Sequence, residues 1–229
     1  MTRISKILLL TLIAVIFESL VIDIGIRTYS PEVLSVVNNH FIPTLGVPWH
    51  ALYYIPVFLS LIIGFYKYFS FAIDKKPLAP VNKSKLFRNF LIALVGVFLF
   101  ELMIEPMVQN VNFPSWSYIY RDVSFIMSGI WVLLIWMATT LIDKYSLREG
   151  VVEKFLGYIG IVAVIALPLE AWFINHGFRI YLQSAVTNFS GFTLPYFGIP
   201  VEVMFGIPFY FALIIGFLRY WESIFDNKL

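Results

Sequence analysis

Apolar positions run through this chain in six blocks, at about 5–23, 49–73, 87–105, 122–142, 154–174 and 200–220, and the polar residues collect between them. Each block reaches about the 20 residues needed to cross hydrocarbon roughly 30 Å thick, so the pattern predicts six transmembrane helices. The links alternate in character. Asp74-Lys75-Lys76-Pro77 to Lys85, and Lys144 to Lys154, are short and basic. Residues 24–47, 106–121 and 175–199 form longer links rich in Tyr, Phe, Pro and Asn. Apolar, aromatic links of that length are expected to fold back as ordered caps or short interfacial helices, with Trp and Tyr at headgroup depth. Pro31 to Val37 is expected to form one or two helical turns, with Pro at the start.

The two ends of the chain also match each other. An offset of 152 positions, without a gap, places Glu18 on Glu170, Gly25 on Gly177, Arg27 on Arg179 and Tyr29 on Tyr181. Gly46 and Pro48 fall on Gly198 and Pro200, and Leu61 to Phe65 repeats as Leu213 to Phe217. Apolar helices matched by chance would share Leu and Ile, but not a Glu, an Arg and a loop of fixed length. The chain therefore reads as one membrane domain, 1–229, in which 18–68 repeats as 170–220 and 87–143 is a degenerate middle hairpin. The expected fold is an all-α integral membrane protein. Its six transmembrane helices form three parallel-repeat helical hairpins with ordered outer loops, set around a pocket open to the outer leaflet.

Composition agrees. The 229 residues are 60% hydrophobic and 13% charged, with a mean hydropathy of +0.84, too apolar for a soluble domain of this size. Thirteen of the sixteen Lys and Arg fall on one side of the six-span arrangement; only Arg27, Arg121 and Arg179 fall on the other. That bias predicts a multi-pass protein of the cell membrane with both termini cytoplasmic. Arg3 and Lys6 before an apolar run resemble a signal peptide, but Glu18 belongs to the repeat, so the segment is expected to be a retained span. A net charge of +2 reflects loop charges beside the membrane and does not point to nucleic acid. With no cysteine there is no disulfide and no thiolate metal site. No phosphate loop, nucleophile elbow or paired-histidine motif is present, so neither a metal nor a cofactor is expected.

Acidic residues near the outer ends of the odd-numbered blocks are the leading candidates for chemistry: Glu18, Glu101 with Glu105, and Glu170. A charge in hydrocarbon costs ~3 kcal/mol even on lenient scales, so such groups face protein or a wet cavity. One reading makes them a ring of carboxyls around a common pocket. The other pairs Glu18 with Arg27 and Glu170 with Arg179 as a staple in each copy, and the identical spacing suits a structural role. Glu101 and Glu105 have no such neighbour in sequence. Four apart, they share a helix face, where like charges disfavour joint ionisation. Positions that differ between the copies are sharper: His50 corresponds to Glu202, each two residues after Gly-x-Pro, and Asp23-Ile24 becomes Asn175-His176. A histidine and a carboxyl at equivalent places suit a divided acid–base function, or else an interfacial histidine and a first-turn glutamate. Trp49, Trp116, Tyr118, Trp172 and Phe205 are candidate walls for an apolar ligand, or else membrane-belt aromatics.

Glu18, Gly25, Thr28-Tyr29 and Leu45-Gly46-Val47-Pro48 together resemble the repeated pattern of membrane-embedded carotenoid-modifying enzymes of the bisanhydrobacterioruberin hydratase type. Gly198-Ile199-Pro200-Val201-Glu202 before an aromatic-rich span is similar to the Pro-x-Glu-Glu helix start of small membrane lycopene cyclases, with Val203 in place of the second acid. The resemblance covers two segments of about fifty residues and not the middle hairpin. It implies protonation of a polyene terminus and steering of the carbocation to ring closure or to water. Glu202 or Glu170 would then donate the proton and His50 would orient or accept it. The substrate would be an isoprenoid-like lipid, and the bilayer the constant partner. A second reading is a small-solute binding or uptake protein in which the carboxyls, Arg27 and Arg179 hold a polar ligand. A third is a structural subunit with membrane-protein partners.

Overall fold

In hydrocarbon every backbone N–H and C=O must be paired within the chain, which is why long apolar runs resolve into helices. The computed structural model describes residues 3–23, 41–49, 51–74, 85–105, 107–147 and 150–226. Six long helices account for most of them: α1 (Arg3–Asp23), α2 (Ala51–Asp74), α3 (Leu86–Ile104), α4 (Phe125–Tyr145), α5 (Val151–Asn175) and α6 (Val201–Phe225). Among the described residues α3 to α6 are long and apolar enough to cross a membrane, while α1 and α2 carry the shorter apolar stretches Leu8–Leu20 and Tyr54–Ser70. Leu8, Leu12, Ile13 and Phe17 of α1 are exposed, a surface that suits lipid and would be an aggregation site in water. The fourth apolar block begins helical structure only at Phe125, where Ser124 Oγ accepts the Ile126 N–H as an N-cap. Asp122 therefore stays outside the helix.

α6 is the centre of the bundle, packing on α2, α3 and α5, with α4 between α3 and α5 and α1 resting on α2. The closest approach is between α2 and α6, and it is reciprocal. A Cβ on Gly64 would lie 3.2 Å from Phe217 Cα, and a Cβ on Gly216 would lie 2.9 Å from Phe65 Cα. Absent side chains at equivalent positions let the two backbones meet.

The loops before α2 and α6 share one geometry. Phe41 bridges Pro48 and Thr193 bridges Pro200, while Ile42 N–H donates to Val47 O and Leu194 N–H to Ile199 O, both at 2.8 Å. Four residues take left-handed backbone at matching places: Thr44 (φ 69°), Gly46 (62°), Tyr196 (70°) and Gly198 (68°). Thr and Tyr rarely adopt that conformation, so the turn is imposed by its hydrogen bonds.

The described residues are mostly helical, and four strands of two or three residues join the helices. β1 (Val108–Asn110) pairs antiparallel with β4 (Arg179–Tyr181) in the register Val108↔Tyr181 and Asn110↔Arg179, and β2 (Tyr118–Tyr120) pairs with β3 (Val123–Ser124). Strands appear where ordered caps or short interfacial helices were expected. The loops lie flat across the bundle end, and cross-pairing two of them satisfies backbone groups that a short isolated helix would leave open. A single helical turn, Gln183–Val186, follows β4. The turns expected at 31–37 lie outside the described residues.

At the opposite end of the bundle Arg219 does not mark a membrane edge. Its side chain is buried in α6, with Nη2 2.6 Å from Asp143 Oδ2 and Nη1 2.8 Å from Glu222 Oε2. The Tyr158 ring lies under the guanidinium at 4.9 Å, and the Tyr158 hydroxyl also donates to Asp143. Asp226 closes the same end, 2.6 Å from Lys85 and 2.7 Å from Arg88.

Candidate functional site

The β1–β4 pairing sets Asn110 directly across from Arg179 and turns both inward, over the ends of α3 and α5. Asn110 Oδ1 accepts from Arg179 Nη1 at 2.8 Å, and Asn110 Nδ2 donates to Glu101 Oε2 at 3.1 Å and to the Asp122 carbonyl at 3.1 Å. Arg179 Nη1 stands 3.6 Å from Glu101 Oε1, and its Nε lies 2.9 Å from Glu170 Oε1. The Nε–H is not aimed at that oxygen, so the contact is an ion pair and not a directed hydrogen bond. Tyr181 donates its hydroxyl to the same Glu170 oxygen at 2.7 Å, and the Trp131 ring faces the guanidinium at 5.9 Å.

Electrostatics follow from burial. Burial opposes the charge on Arg179, but Glu170 first and Glu101 next overcome that and hold the guanidinium ionised. Burial, then the Glu170 carboxylate, raises the Tyr181 phenol well above its ordinary value, so it remains a donor. The cluster sets two carboxyls, on α3 and α5, against one guanidinium. Counted at full ionisation it carries one uncompensated negative charge in a site of low dielectric.

Beneath it is a cavity of about 150 Å³. Glu101, Glu170, Arg179 and Tyr181 form its polar end; Val97, Phe100, Trp131, Tyr210, Phe211 and Ile214 form its walls; Glu202 and Phe189 also line it. A volume of this size accepts a molecule the size of benzene. Glu202, in the first turn of α6, is tied by Oε1 to the Ser190 N–H at 2.5 Å, while Oε2 has no hydrogen-bond partner among the described residues.

No family model, curated protein or solved structure matches this chain.

Of the residues singled out from sequence, Glu101, Glu170, Glu202 and Arg179 line one cavity. Glu18 does not line it; its Oε1 accepts from Tyr54 at 3.5 Å, between α1 and α2. His50 and Arg27 lie outside the described residues. Trp49, Trp116, Trp172 and Phe205 stand exposed and away from the cavity. Trp172 instead stacks on His176 and Phe178. Tyr118 accepts from the Phe113 N–H and fixes the middle cap. The staple between Glu170 and Arg179 is present, and it coexists with the pocket instead of excluding it. Glu101 and Glu105 do find partners: Glu105 lies 3.3 Å from Arg121, and Glu101 meets Arg179 and Asn110. The walls Phe100 and Tyr210 were missed because mid-span aromatics look alike in a list of residues. Tyr181 was signalled by its match with Tyr29, and Asn110 by nothing local.

Asp122, whose carbonyl accepts from Asn110, gives a test of this arrangement. Burial first, and the Glu105 carboxylate next, push its carboxyl from 3.8 up to about 7. A folded value above the unfolded one means its contribution to stability is complete at low pH and is lost as pH rises through that window. Asp122→Asn is therefore expected to flatten the decline in melting temperature between about pH 4 and 7, and an unchanged profile would exclude Asp122 as its source.

Proposed function

We propose that this chain is a six-span integral membrane protein that holds the end of a polyisoprenoid chain in the cavity and transforms it by acid-initiated carbocation chemistry, as a cyclase or hydratase. The single observation that carries this reading is the cavity itself: apolar and aromatic walls ending on two carboxyls that outnumber one pinned guanidinium. A proton on the carboxyl pair neutralises the cluster, and transfer to a terminal double bond creates a cation where the wall needs one. The leftover carboxylate and the faces of Trp131 and Tyr210 then stabilise that cation. Attack by an internal double bond, or by water, followed by loss of one proton to the carboxylate, closes the reaction without oxidant or reductant.

The six-span arrangement is supported by α1 and α2, whose 21 and 24 residues match the lengths of the other spans. One orientation for the first and third hairpins is supported by the shared loop geometry before α2 and α6. The thirteen-to-three charge bias supports cytoplasmic termini. Uptake of a polar anion is the weaker reading, because Arg179 is already held by Glu170, Glu101 and Asn110.

Glu170→Gln tests the chemistry cleanly, since it leaves one carboxylate against one guanidinium and so a neutral, foldable cluster. In membranes supplied with an acyclic polyene, the variant is expected to retain the polyene and form no product. Product at the wild-type level would remove Glu170 from the mechanism.

A further inference from the structure

Gly206, which lines the cavity, has a counterpart in the first repeat, and there the position carries a large side chain. Thirty-six positions separate Glu18 from Tyr54, and the same spacing separates Glu170 from Gly206. In the first copy Tyr54 projects from α2 toward α1 and its hydroxyl reaches Glu18 at 3.5 Å. In the third copy Gly206 stands at that place on α6, lines the cavity and leaves Glu170 to Tyr181. A Cβ at Gly206 would meet the Tyr210 ring at 3.5 Å, an ordinary contact. Nothing in the backbone requires glycine there: its φ is not left-handed, unlike those of Gly46, Gly177, Gly191 and Gly198. Glycine inside a helix is less favourable than alanine, so the empty volume is what position 206 supplies.

We infer that Gly206 is the specificity-determining residue of this protein. It leaves room beside Glu170, between α3 and α6, while Tyr54 occupies the matching place beside Glu18, and it sizes the opening for an acyclic, methyl-branched chain end. The volume of about 150 Å³ matches a group of about five or six carbons, enough for one isoprene unit and less than a ring that carries several methyl groups. The inference rests on the proposed function for the identity of the ligand, but not for the existence or the position of the opening.

Two readouts on the full chain separate these. In crystals under xenon pressure, the wild type is expected to show xenon beside Gly206 and Tyr210, Gly206→Leu none, and Tyr54→Ala a second xenon beside Glu18. In membranes, Gly206→Leu is expected to lower conversion of an acyclic polyene at least tenfold, and Gly206→Ala by less than threefold, with a ring-ended polyene unused by the wild type. Unchanged xenon in Gly206→Leu, no second site in Tyr54→Ala, or equal use of ring-ended polyene would overturn the inference. If the wild type converts no polyene at all, the proposed chemistry fails while the xenon pattern still decides the role of Gly206. Should Gly206→Leu not fold, Tyr54→Ala and Gly206→Ala still decide it, since neither introduces a clash.

Discussion

Arg179→Gln is expected to be the most damaging single substitution in this chain, lowering stability by about 3–5 kcal/mol, the usual result of removing one partner from a buried ion network. Glu170 and Glu101 would face each other without a counter-charge, and Asn110 Oδ1 would lose its donor across the β1–β4 pair. The measurement is the thermal midpoint in detergent together with the fraction recovered as a single species. Adding Glu170→Gln should return part of the loss, because it removes one of the two stranded charges, with a coupling on the order of 1–3 kcal/mol. A single-variant loss below about 1 kcal/mol would show that the cluster is hydrated and not sealed.

A methyl group at Gly216 should have the next largest effect. Its Cβ would sit 2.9 Å from Phe65 Cα, a backbone atom that can yield only if α2 and α6 move apart. Gly216→Ala is expected to cost about 1–3 kcal/mol, as overpacking does in a close-packed interior. Gly64→Ala should cost less, since its Cβ would keep 3.2 Å from Phe217 Cα. Unfolding in mixed micelles measures both, and equal losses would mean that the two sides of the crossing relax alike.

Much of this was written in the order of residues. Apolar runs marked six long helices to within a few positions, and Gly-x-Pro at two places marked the turns that Thr44 and Tyr196 complete in left-handed backbone. The pairing of Glu170 with Arg179 was legible because both lie on one hairpin, nine positions apart. What stayed hidden depends on distant parts of the chain. Asn110 reaches Arg179 across 69 residues, and Arg219 looked like a loop charge because a count of basic residues does not see Asp143. The strands were hidden for the same reason: Val108 to Asn110 is too short to declare a conformation until β4 lies beside it.

The separation of these partners also has a cost in time. Arg219 and Asp143 are 76 residues apart, so Asp143 is made about 4–15 s before its guanidinium at typical synthesis rates of ~5–20 residues per second. During that interval the nascent chain has an acidic residue at the end of α4 with no arginine to meet it. Asn110 waits through a similar interval for Arg179. Synthesis speed, and whatever holds the half-made chain at the insertion machinery, therefore bear on how much protein reaches its folded state. Slowing translation between α4 and α6 should lower the yield of a chain whose finished form is unaltered.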